Sequence, residues 1–261
     1  MILDEILATK RDEVAAAKQR LPLEELKRRV VGRIAPRGFR AALAEGPHRP
    51  ALIAELKRQS PSRGMLRERF DPPRLAQELS EAGADALSVL TDQRYFGGQL
   101  EFLRTARQFC EIPLLRKDFI FDPYQVYEAG AAQADAILLI VQALEPAQLK
   151  DLLQLATSLG LDALVEIHAE AELDVALRAG ADTIGINHRD LRTFTMHPTL
   201  TDVLVPRIPA GKVIVAESGI HTGDDVRRLR DLGVHALLIG ESLMVSPDVG
   251  AKVRELFGGV W

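Results

Sequence analysis

A lysine stands at the end of a short apolar run near the middle of the chain. Residues 112–115 are apolar, and Arg116, Lys117 and Asp118 follow them directly. Side chains of a β-strand alternate between two faces, so Lys117 would share a face with Leu115. An ammonium group among apolar side chains is costly unless nearby groups stabilise it. A lysine that leaves a sheet for solvent would explain a single case, but the same pattern recurs.

Polar residues follow apolar runs in this way at four other places. They are Glu55 and Lys57, Glu166, Asn187 and Arg189, and Glu217. Each continues one face of the run that precedes it. Lysine and glutamate side chains that meet compensate one another's charge and shift one another's pKa values. The recurrence therefore predicts one functional site in which these groups converge.

Eight apolar runs alternate with amphipathic segments and would position these groups. The predicted strands are 51–56, 86–90, 112–115, 136–141, 163–167, 183–186, 213–216 and 236–239. The predicted helices are 73–82, 100–109, 123–129, 146–158, 169–179, 224–232 and 247–257, with a short helix within 191–209. Eight strand–helix units in this length predict an α/β protein with a closed (β/α)8 barrel, a TIM barrel. In such barrels, functional groups gather at the carboxyl ends of the strands.

About fifty residues precede the first predicted strand. Helical spacing over 2–20, and again after Pro22, predicts two helices there. This segment is too short for a core of its own. We therefore expect residues 1–50 to form a helical extension that caps one end of the barrel, residues 51–261, within one domain overall.

A repeated plan of helix end, glycine and strand start supports the barrel. It occurs at Gly83, Gly180 and Gly233, and with insertions at Gly130. A helix often ends with a residue in the left-handed conformation, which glycine adopts without steric cost. We therefore expect these glycines to be structural.

Composition limits the partners and the compartment. The chain has 33 Lys+Arg and 37 Asp+Glu, a net charge of −4, which argues against general binding to nucleic acid or anionic membranes. The segment 1–14 lacks an apolar stretch of signal-peptide length, and no window has the roughly 20 apolar residues of a membrane helix. A single cysteine, Cys110, suits a reducing compartment, and we expect it to be buried and inert. We predict a cytoplasmic monomer.

Glycines after the last two strands suggest the ligand. Ser218 and Gly219 follow the seventh strand, and Gly240 and Glu241 follow the eighth. Glycine lets backbone N–H groups approach an anion, and the loops after strands seven and eight are the usual phosphate site of this fold. This predicts a phosphorylated small-molecule substrate. The loop 59–64 lies next in a closed barrel and could close over the phosphate.

Other kinds of site find little support. The six histidines lack metal-ligand spacing, so we expect no metal, and we interpret His168 and His188 as solvated loop residues. No glycine-rich dinucleotide motif follows the first strand, and we expect no cofactor. The low aromatic content, 5%, argues against stacking on single-stranded nucleic acid.

Six segments together resemble a known family. They are AELKRQSPS at 54–62, LTDQRYFGG at 90–98, LRKDF at 115–119, VEIH at 165–168, GINHRDL at 185–191 and AESGI at 216–220. In this order they resemble indole-3-glycerol phosphate synthase, and they cover the chain from about residue 50 to 245. His188 departs from the pattern, because many members carry asparagine there.

The resemblance implies a (β/α)8 enzyme of tryptophan biosynthesis, a carbon–carbon lyase. Its substrate would be 1-(2-carboxyphenylamino)-1-deoxyribulose 5-phosphate, whose indole ring it closes with loss of CO2 and water, without a cofactor. By position, Lys117 resembles the general acid and Glu166 the general base. Lys57 and Glu55 resemble the assisting pair of the first strand.

The remaining site residues follow from the same resemblance. Asn187 and Glu217 would orient the substrate, and Arg189 and Lys57 would meet its carboxylate or phosphate. The substrate-binding positions are Ser60, Pro61, Ser218, Gly219, Gly240 and Glu241 around the phosphate, Glu241 through its backbone, and Phe96, Phe119 and Leu138 around the anthranilate ring.

Three other functions remain open from the residues alone. The first is another phosphate-binding barrel, such as a sugar-phosphate isomerase. The second is a Schiff-base aldolase with Lys117 as the nucleophile. The third is an inactive barrel that binds a phosphorylated metabolite. The division of roles between Lys57 and Lys117 is also open.

Overall fold

Eight parallel strands close into a barrel in the computed structural model, which describes residues 2–261. The strands are β1 Ala51–Leu56, β2 Ala86–Leu90, β3 Leu114–Lys117, β4 Ala136–Ile140, β5 Asp162–Ile167, β6 Thr183–Asn187, β7 Val213–Glu217 and β8 Ala236–Ile239. Each strand pairs with its neighbours in sequence, and β8 pairs with β1. The predicted (β/α)8 fold is confirmed.

Helices surround the barrel and precede it. They are α1 Ile2–Arg20, α2 Leu23–Val31, α3 Phe39–Glu45, α4 Pro72–Glu81, α5 Gln93–Phe96, α6 Glu101–Arg107, α7 Pro123–Ala131, α8 Pro146–Ser158, α9 Glu170–Ala179, α10 Leu200–Leu204, α11 Gly223–Asp231, α12 Glu241–Met244 and α13 Val249–Phe257. The helices α3 and α5 were not predicted. None of the helices in residues 2–261 combines the length and apolar character needed to cross a membrane.

The third strand begins and ends two residues later than predicted. Pro113 has no N–H to donate to a ladder, so it precedes β3 and only its carbonyl accepts, from Leu87. Lys117 is therefore the last residue of the strand, paired with Leu90. Its backbone is fixed within the sheet.

Inward-facing side chains form layers across the barrel, each built from alternate strands. One layer is apolar and comes from β1, β3, β5 and β7: Ile53, Leu115, Leu164 and Val215. Two residues further along the same strands stand Glu55, Lys117, Glu166 and Glu217. The strand register places these four in one layer as well. Four polar side chains thus meet where the apolar interior ends.

The N-terminal extension contacts both ends of the barrel, so the prediction that it caps one end is wrong. Phe39 and Leu43 of α3 are fully buried with the first residues of the strands. Lys10 of α1 reaches carboxylates that follow β2 and β3, at the opposite end. Helix α2 packs along α7 between these two ends, and Arg33 and Arg37 after it contact groups at the amino ends of the strands. The division into residues 1–50 and 51–261 stays a proposal. We treat the two parts as one domain because they share buried residues.

Three of the four glycines in the repeated plan have the expected conformation. Gly83, Gly180 and Gly233 have φ of 101°, 95° and 91°. Gly130 was interpreted wrongly, because it lies inside α7 and the positive φ, 66°, belongs to Gln133. Helix α7 continues past Gly130, so the turn with positive φ falls three residues later, at Gln133. Cys110 is buried, and burial raises the pKa of its thiol.

A buried ion network anchors α1 to the barrel. Lys10 Nζ lies 2.9 Å from Asp92 Oδ2 and 3.0 Å from Asp118 Oδ1. Burial alone would lower the pKa of Lys10, but Asp118 and Asp92 outweigh it and raise that pKa. Asp118 also accepts from Arg116 and from Thr91. Since Asp118 follows Lys117 directly, α1 supports the backbone beside the predicted acid.

Replacing Lys10 by methionine should destabilise the fold by about 3–5 kcal/mol, because it leaves buried Asp92 without a cation and Asp118 with Arg116 alone. Urea unfolding at neutral pH measures the change. Lys18→Met is the matched control, since Lys18 lies on the same helix and pairs with Asp122 while 44% exposed. That exposed pair should contribute less than about 1 kcal/mol. Equal losses in both variants would contradict the anchoring role of Lys10.

Candidate active site

The carboxyl ends of the strands open into a cavity of about 950 Å³, including its mouth. Every site residue predicted from the sequence lines it. They are Glu55, Lys57, Ser60, Pro61, Phe96, Lys117, Phe119, Leu138, Glu166, Asn187, Arg189, Glu217, Ser218, Gly219, Gly240 and Glu241. The barrel thus gathers residues that lie up to 186 positions apart in the sequence (241 − 55).

The ammonium of Lys117 lies among three carboxylates at the base of this cavity. Its Nζ is 3.0 Å from Glu217 Oε2, 3.2 Å from Glu166 Oε2 and 3.7 Å from Glu55 Oε2. Burial would lower the pKa of Lys117, but Glu166, Glu217 and Glu55 outweigh it and raise that pKa well above its ordinary value. The lysine is therefore protonated at neutral pH.

A second lysine contacts the same cluster from β1. Lys57 Nζ lies 2.6 Å from Glu55 Oε1, while Ser88 donates to the other oxygen of Glu55 at 3.3 Å. Burial raises the pKa of Glu55, but Lys57 and then Lys117 outweigh it, and the net shift is downward. Glu55 is thus an ionised bridge between the two lysines.

The two remaining glutamates have opposite protonation preferences. Burial raises the pKa of Glu166, but Lys117 and His168 outweigh it and hold that pKa well below its ordinary value. Burial and the charge of Glu166 both raise the pKa of Glu217, and Lys117 compensates only in part. Two buried carboxyls this close do not both ionise easily. The pKa shifts therefore favour the ionised form of Glu166 and the protonated form of Glu217.

Two glycines make room for this cluster. A Cβ at Gly185, in the middle of β6, would collide with Glu217 Oε1. A Cβ at Gly240 would lie 2.5 Å from Glu55 Oε1. Sequence reasoning missed Gly185, although a glycine inside a strand is itself a signal of close approach. Gly240 was assigned to phosphate only, and it also accommodates Glu55.

Backbone turns shape the side of the cavity after β7 and β8. Ser218 and Gly219 have φ of 67° and 73°, so the chain turns sharply as it leaves β7. Ser218 Oγ donates to Asn187 Oδ1 at 2.8 Å, and the backbone N–H of Arg189 donates to the same oxygen at 3.1 Å. After β8, Gly240 precedes the first turn of α12. Free N–H groups at such a helix start suit an anion.

The rim carries two arginines joined by one carboxylate. Arg63 Nε lies 3.0 Å from Glu241 Oε1, and Arg189 Nη2 lies 3.6 Å from Glu241 Oε2. Arg63 belongs to the hairpin in which Gln59–Ser60 pairs with Gly64–Met65. The side chain of Glu241 therefore contributes at the rim, in addition to the predicted backbone. Sequence reasoning did not assign Arg63 to the site.

Opposite this polar side lies an apolar wall. The rings of Phe96 and Phe119 have centroids 6.1 Å apart and tilt by 36°. Leu138, from β4, lies beside them in the cavity lining. An aromatic ring of a ligand would fit against this wall, with its polar groups toward the lysines.

Both histidines near the mouth are buried, so their interpretation as solvated loop residues is wrong. His168 continues the alternation of β5, and its Nε2 lies 3.1 Å from Glu166 Oε1. His188 points away from Asn187 and contacts the carbonyl of Ser218 and the hydroxyl of Thr201. The segment 189–201 folds back over it, which no local pattern indicates. Across residues 2–261, no group of three His, Cys, Asp or Glu is arranged to hold a metal.

A closed barrel with this cavity at the carboxyl ends of its strands defines a (β/α)8-barrel enzyme. Residues 3–256 match the family model described as indole-3-glycerol phosphate synthase. The chain belongs to the indole-3-glycerol phosphate synthase family, and it is a carboxy-lyase of tryptophan biosynthesis.

Curated relatives support this membership along the whole chain. Indole-3-glycerol phosphate synthase from Aromatoleum aromaticum is 48% identical over 261 residues, covering 98% of this chain and 99% of the relative. The synthase from Albidiferax ferrireducens is 48% identical, with 98% of both chains covered. The synthase from Campylobacter hominis is 46% identical, with 99% of this chain and 100% of the relative covered.

Solved structures of lower identity share the fold. A 3-hexulose-6-phosphate synthase from Salmonella typhimurium superposes with a TM-score of 0.64 at 12% identity, covering 80% of this chain and 98% of that one. A thiamine phosphate pyrophosphorylase from Pyrococcus furiosus has a TM-score of 0.62 at 18% identity, with 82% and 96% covered. At these identities the likeness concerns the barrel alone.

Replacing Gly185 by alanine should lower kcat on the order of 10²-fold, because the new methyl group displaces the Glu217 carboxyl and misplaces Lys117. Steady-state kinetics measures the effect. Gly32→Ala is the matched control: Gly32 has a negative φ and no atom within 4 Å of a new Cβ. A Gly185→Ala enzyme with unchanged kcat would show that the packing of Glu217 is unimportant.

Proposed function

We propose that this cavity converts 1-(2-carboxyphenylamino)-1-deoxyribulose 5-phosphate to indole-3-glycerol phosphate, with Lys117 as general acid and Glu166 as general base. The observation that carries the proposal is the Lys117 amine lying 3.2 Å from the Glu166 carboxyl at the base of the cavity. The family match favours this reaction over the sugar-phosphate isomerase left open by the residues alone. This sequence of proton transfers requires an acid that holds a proton and a base that lacks one.

Three parts of the cavity match three parts of this substrate. The turns at Gly219 and Gly240 provide backbone N–H groups for the phosphate, and Ser60, which follows the adjacent strand β1 with Pro61 beside it, provides a hydroxyl. The wall of Phe96, Phe119 and Leu138 suits the anthranilate ring. Arg189, on the rim, suits the carboxylate that is later lost as CO2. The ketone then lies between these sites, over the lysines.

Ring closure is the first chemical step. The ring carbon that bears the carboxylate forms a bond to the ketone carbon, and the carbonyl electron pair moves to oxygen. Lys117 donates a proton to that oxygen, so no alkoxide builds up. The bond to CO2 then breaks, and its electrons restore the aromatic ring. Lys57, bridged to Lys117 by Glu55, stabilises the developing negative charge nearby.

Loss of water completes the indole. The new hydroxyl leaves with a proton from the ammonium side of the cluster, and Glu166 removes a proton from the adjacent carbon. Glu166 is only 1% exposed, so bulk water does not compete for its charge. The proton that leaves with the hydroxyl comes from Lys57, because Lys117 has already donated its own. Glu166 then returns a proton to Lys117, 3.2 Å away, and solvent reprotonates Lys57, which supplies the one proton that loss of CO2 consumes. Asn187 and Glu217 orient the reacting groups.

Replacing Lys117 by alanine should lower kcat roughly 10²–10⁴-fold while the substrate still binds, because general acid catalysis is lost. Indole fluorescence reports product, and protection from thermal unfolding reports binding. Lys212→Ala is the control, since Lys212 pairs with Asp182 at the amino ends of the strands. Near-normal turnover by the Lys117 variant would exclude it as the acid.

Glutamine replacements should separate the two buried glutamates. Glu166→Gln removes the base and should lower kcat roughly 10²–10⁴-fold. Glu217→Gln mimics a carboxyl that already holds its proton, so its kcat at neutral pH should fall by less than about tenfold, the effect of a single weakened hydrogen bond. A larger loss in the Glu217 variant would reverse the assignment. Kinetics on both purified variants under identical conditions decides the order.

The cytoplasmic location and the monomeric state stay predictions. Size-exclusion chromatography with light scattering tests the second.

A further inference from the structure

The imidazole of His168 is a buried group that the proposed reaction does not use. His168 follows β5 directly, and its side chain has no exposed surface. It does not belong to the lining of the cavity, which leaves it out of reach of a substrate bound there. A buried imidazole needs a partner inside the protein.

Carboxylates face both edges of this ring. Nε2 lies 3.1 Å from Glu166 Oε1, and Nδ1 lies 3.9 Å from Glu172 Oε2 on the first turn of α9. Asp190, after β6, interacts with the ring electrostatically. The backbone N–H of His168 donates to Glu172 Oε2 at 2.7 Å, which fixes the end of β5 against α9. Neither ring nitrogen meets hydrogen-bond geometry with any group of the described chain, and the 3.1 Å approach of Nε2 to Glu166 Oε1 is the shortest polar contact of the ring.

The two oxygens of Glu166 have different neighbours as a result. Oε2 lies beside the ammonium of Lys117, and Oε1 lies beside the imidazole. An imidazole with its hydrogen on Nε2, or a protonated one, can donate to Oε1. A carboxylate held at both oxygens keeps one orientation, and a donor at Oε1 favours its ionised form.

We propose that His168 is a positioning residue for the general base. Its Nε2–H holds Glu166 with Oε2 toward the reacting atoms and keeps the carboxylate ionised until it accepts the substrate proton. This role rests on the proposed function of Glu166. The titratable groups that face Glu166 are Lys117 from β3, Glu217 from β7, Glu55 from β1 and His168 itself.

Two amide replacements test the role of Nε2. The amide nitrogen of His168→Gln reaches the position of Nε2, whereas that of His168→Asn reaches only the position of Nδ1. We expect kcat of the asparagine variant to fall roughly 10- to 100-fold, the factor that a hydrogen bond to a charged group provides. KM should change little, because the residue does not contact substrate. The glutamine variant should restore most of the rate.

The pH profile adds a readout that a purely structural role would not move. Losing the donor raises the pKa of Glu166, and the basic form disappears as the pH falls through that pKa. The acidic limb of kcat in the asparagine variant should therefore shift to higher pH, and the glutamine variant should shift less. On a Glu166→Gln background, His168→Asn should lower kcat little further, because both changes act through one carboxylate.

Three outcomes decide between the proposals. Equal kcat and equal pH profiles in the two His168 variants, or fully additive losses in the double variant, would overturn the positioning role. Thermal unfolding of each variant shows that the compared proteins are folded. A wild-type enzyme that forms no indole product from the carboxyphenylamino substrate would overturn the proposed function instead.

Discussion

The contact between one ammonium group and three carboxylates is the interaction on which this site depends. Burying an isolated charge costs several kcal/mol, so Lys117 and its partners are tolerable at the base of the barrel only together. The four come from β1, β3, β5 and β7, at the level where the apolar layer of Ile53, Leu115, Leu164 and Val215 ends. In a closed barrel, a layer contains one inward-facing side chain from each of four alternate strands. Barrel closure therefore brings these four charged groups together.

Space around the cluster is supplied by neighbouring strands. Gly185 on β6 and Gly240 after β8 lack the Cβ that would collide with Glu217 and Glu55. Each glycine leaves free the space that the neighbouring carboxylate occupies. The pKa values then diverge because the glutamates have different partners: Glu166 has Lys117 and His168, whereas Glu217 has only a share of Lys117. Small differences in contact thus favour opposite protonation states in two neighbouring carboxyls.

Support for the site extends beyond the barrel. Lys10 of α1 reaches Asp92 and Asp118, so the extension holds the loops that follow β2 and β3. At the other end, α3 closes the barrel with Phe39 and Leu43. The extension is therefore part of the packing around Lys117, even though none of its described residues, 2–50, lines the cavity.

Sequence periodicity alone determined the barrel, the strand that carries each charged group, and the face on which each group lies. It succeeded because strand alternation is a local property, and Glu55, Lys117, Glu166 and Glu217 continue the inward face of their own strands. It failed where contacts come from distant segments: His168 and His188 were taken for solvated residues, Gly185 was missed, and Arg63 was placed only within a loop near the phosphate, without a role of its own. Whether a polar side chain is buried, and which carboxyl beside it holds the proton, depends on neighbours from other strands. Only the tertiary structure supplies those neighbours, because their positions follow from closure of the barrel and not from sequence proximity.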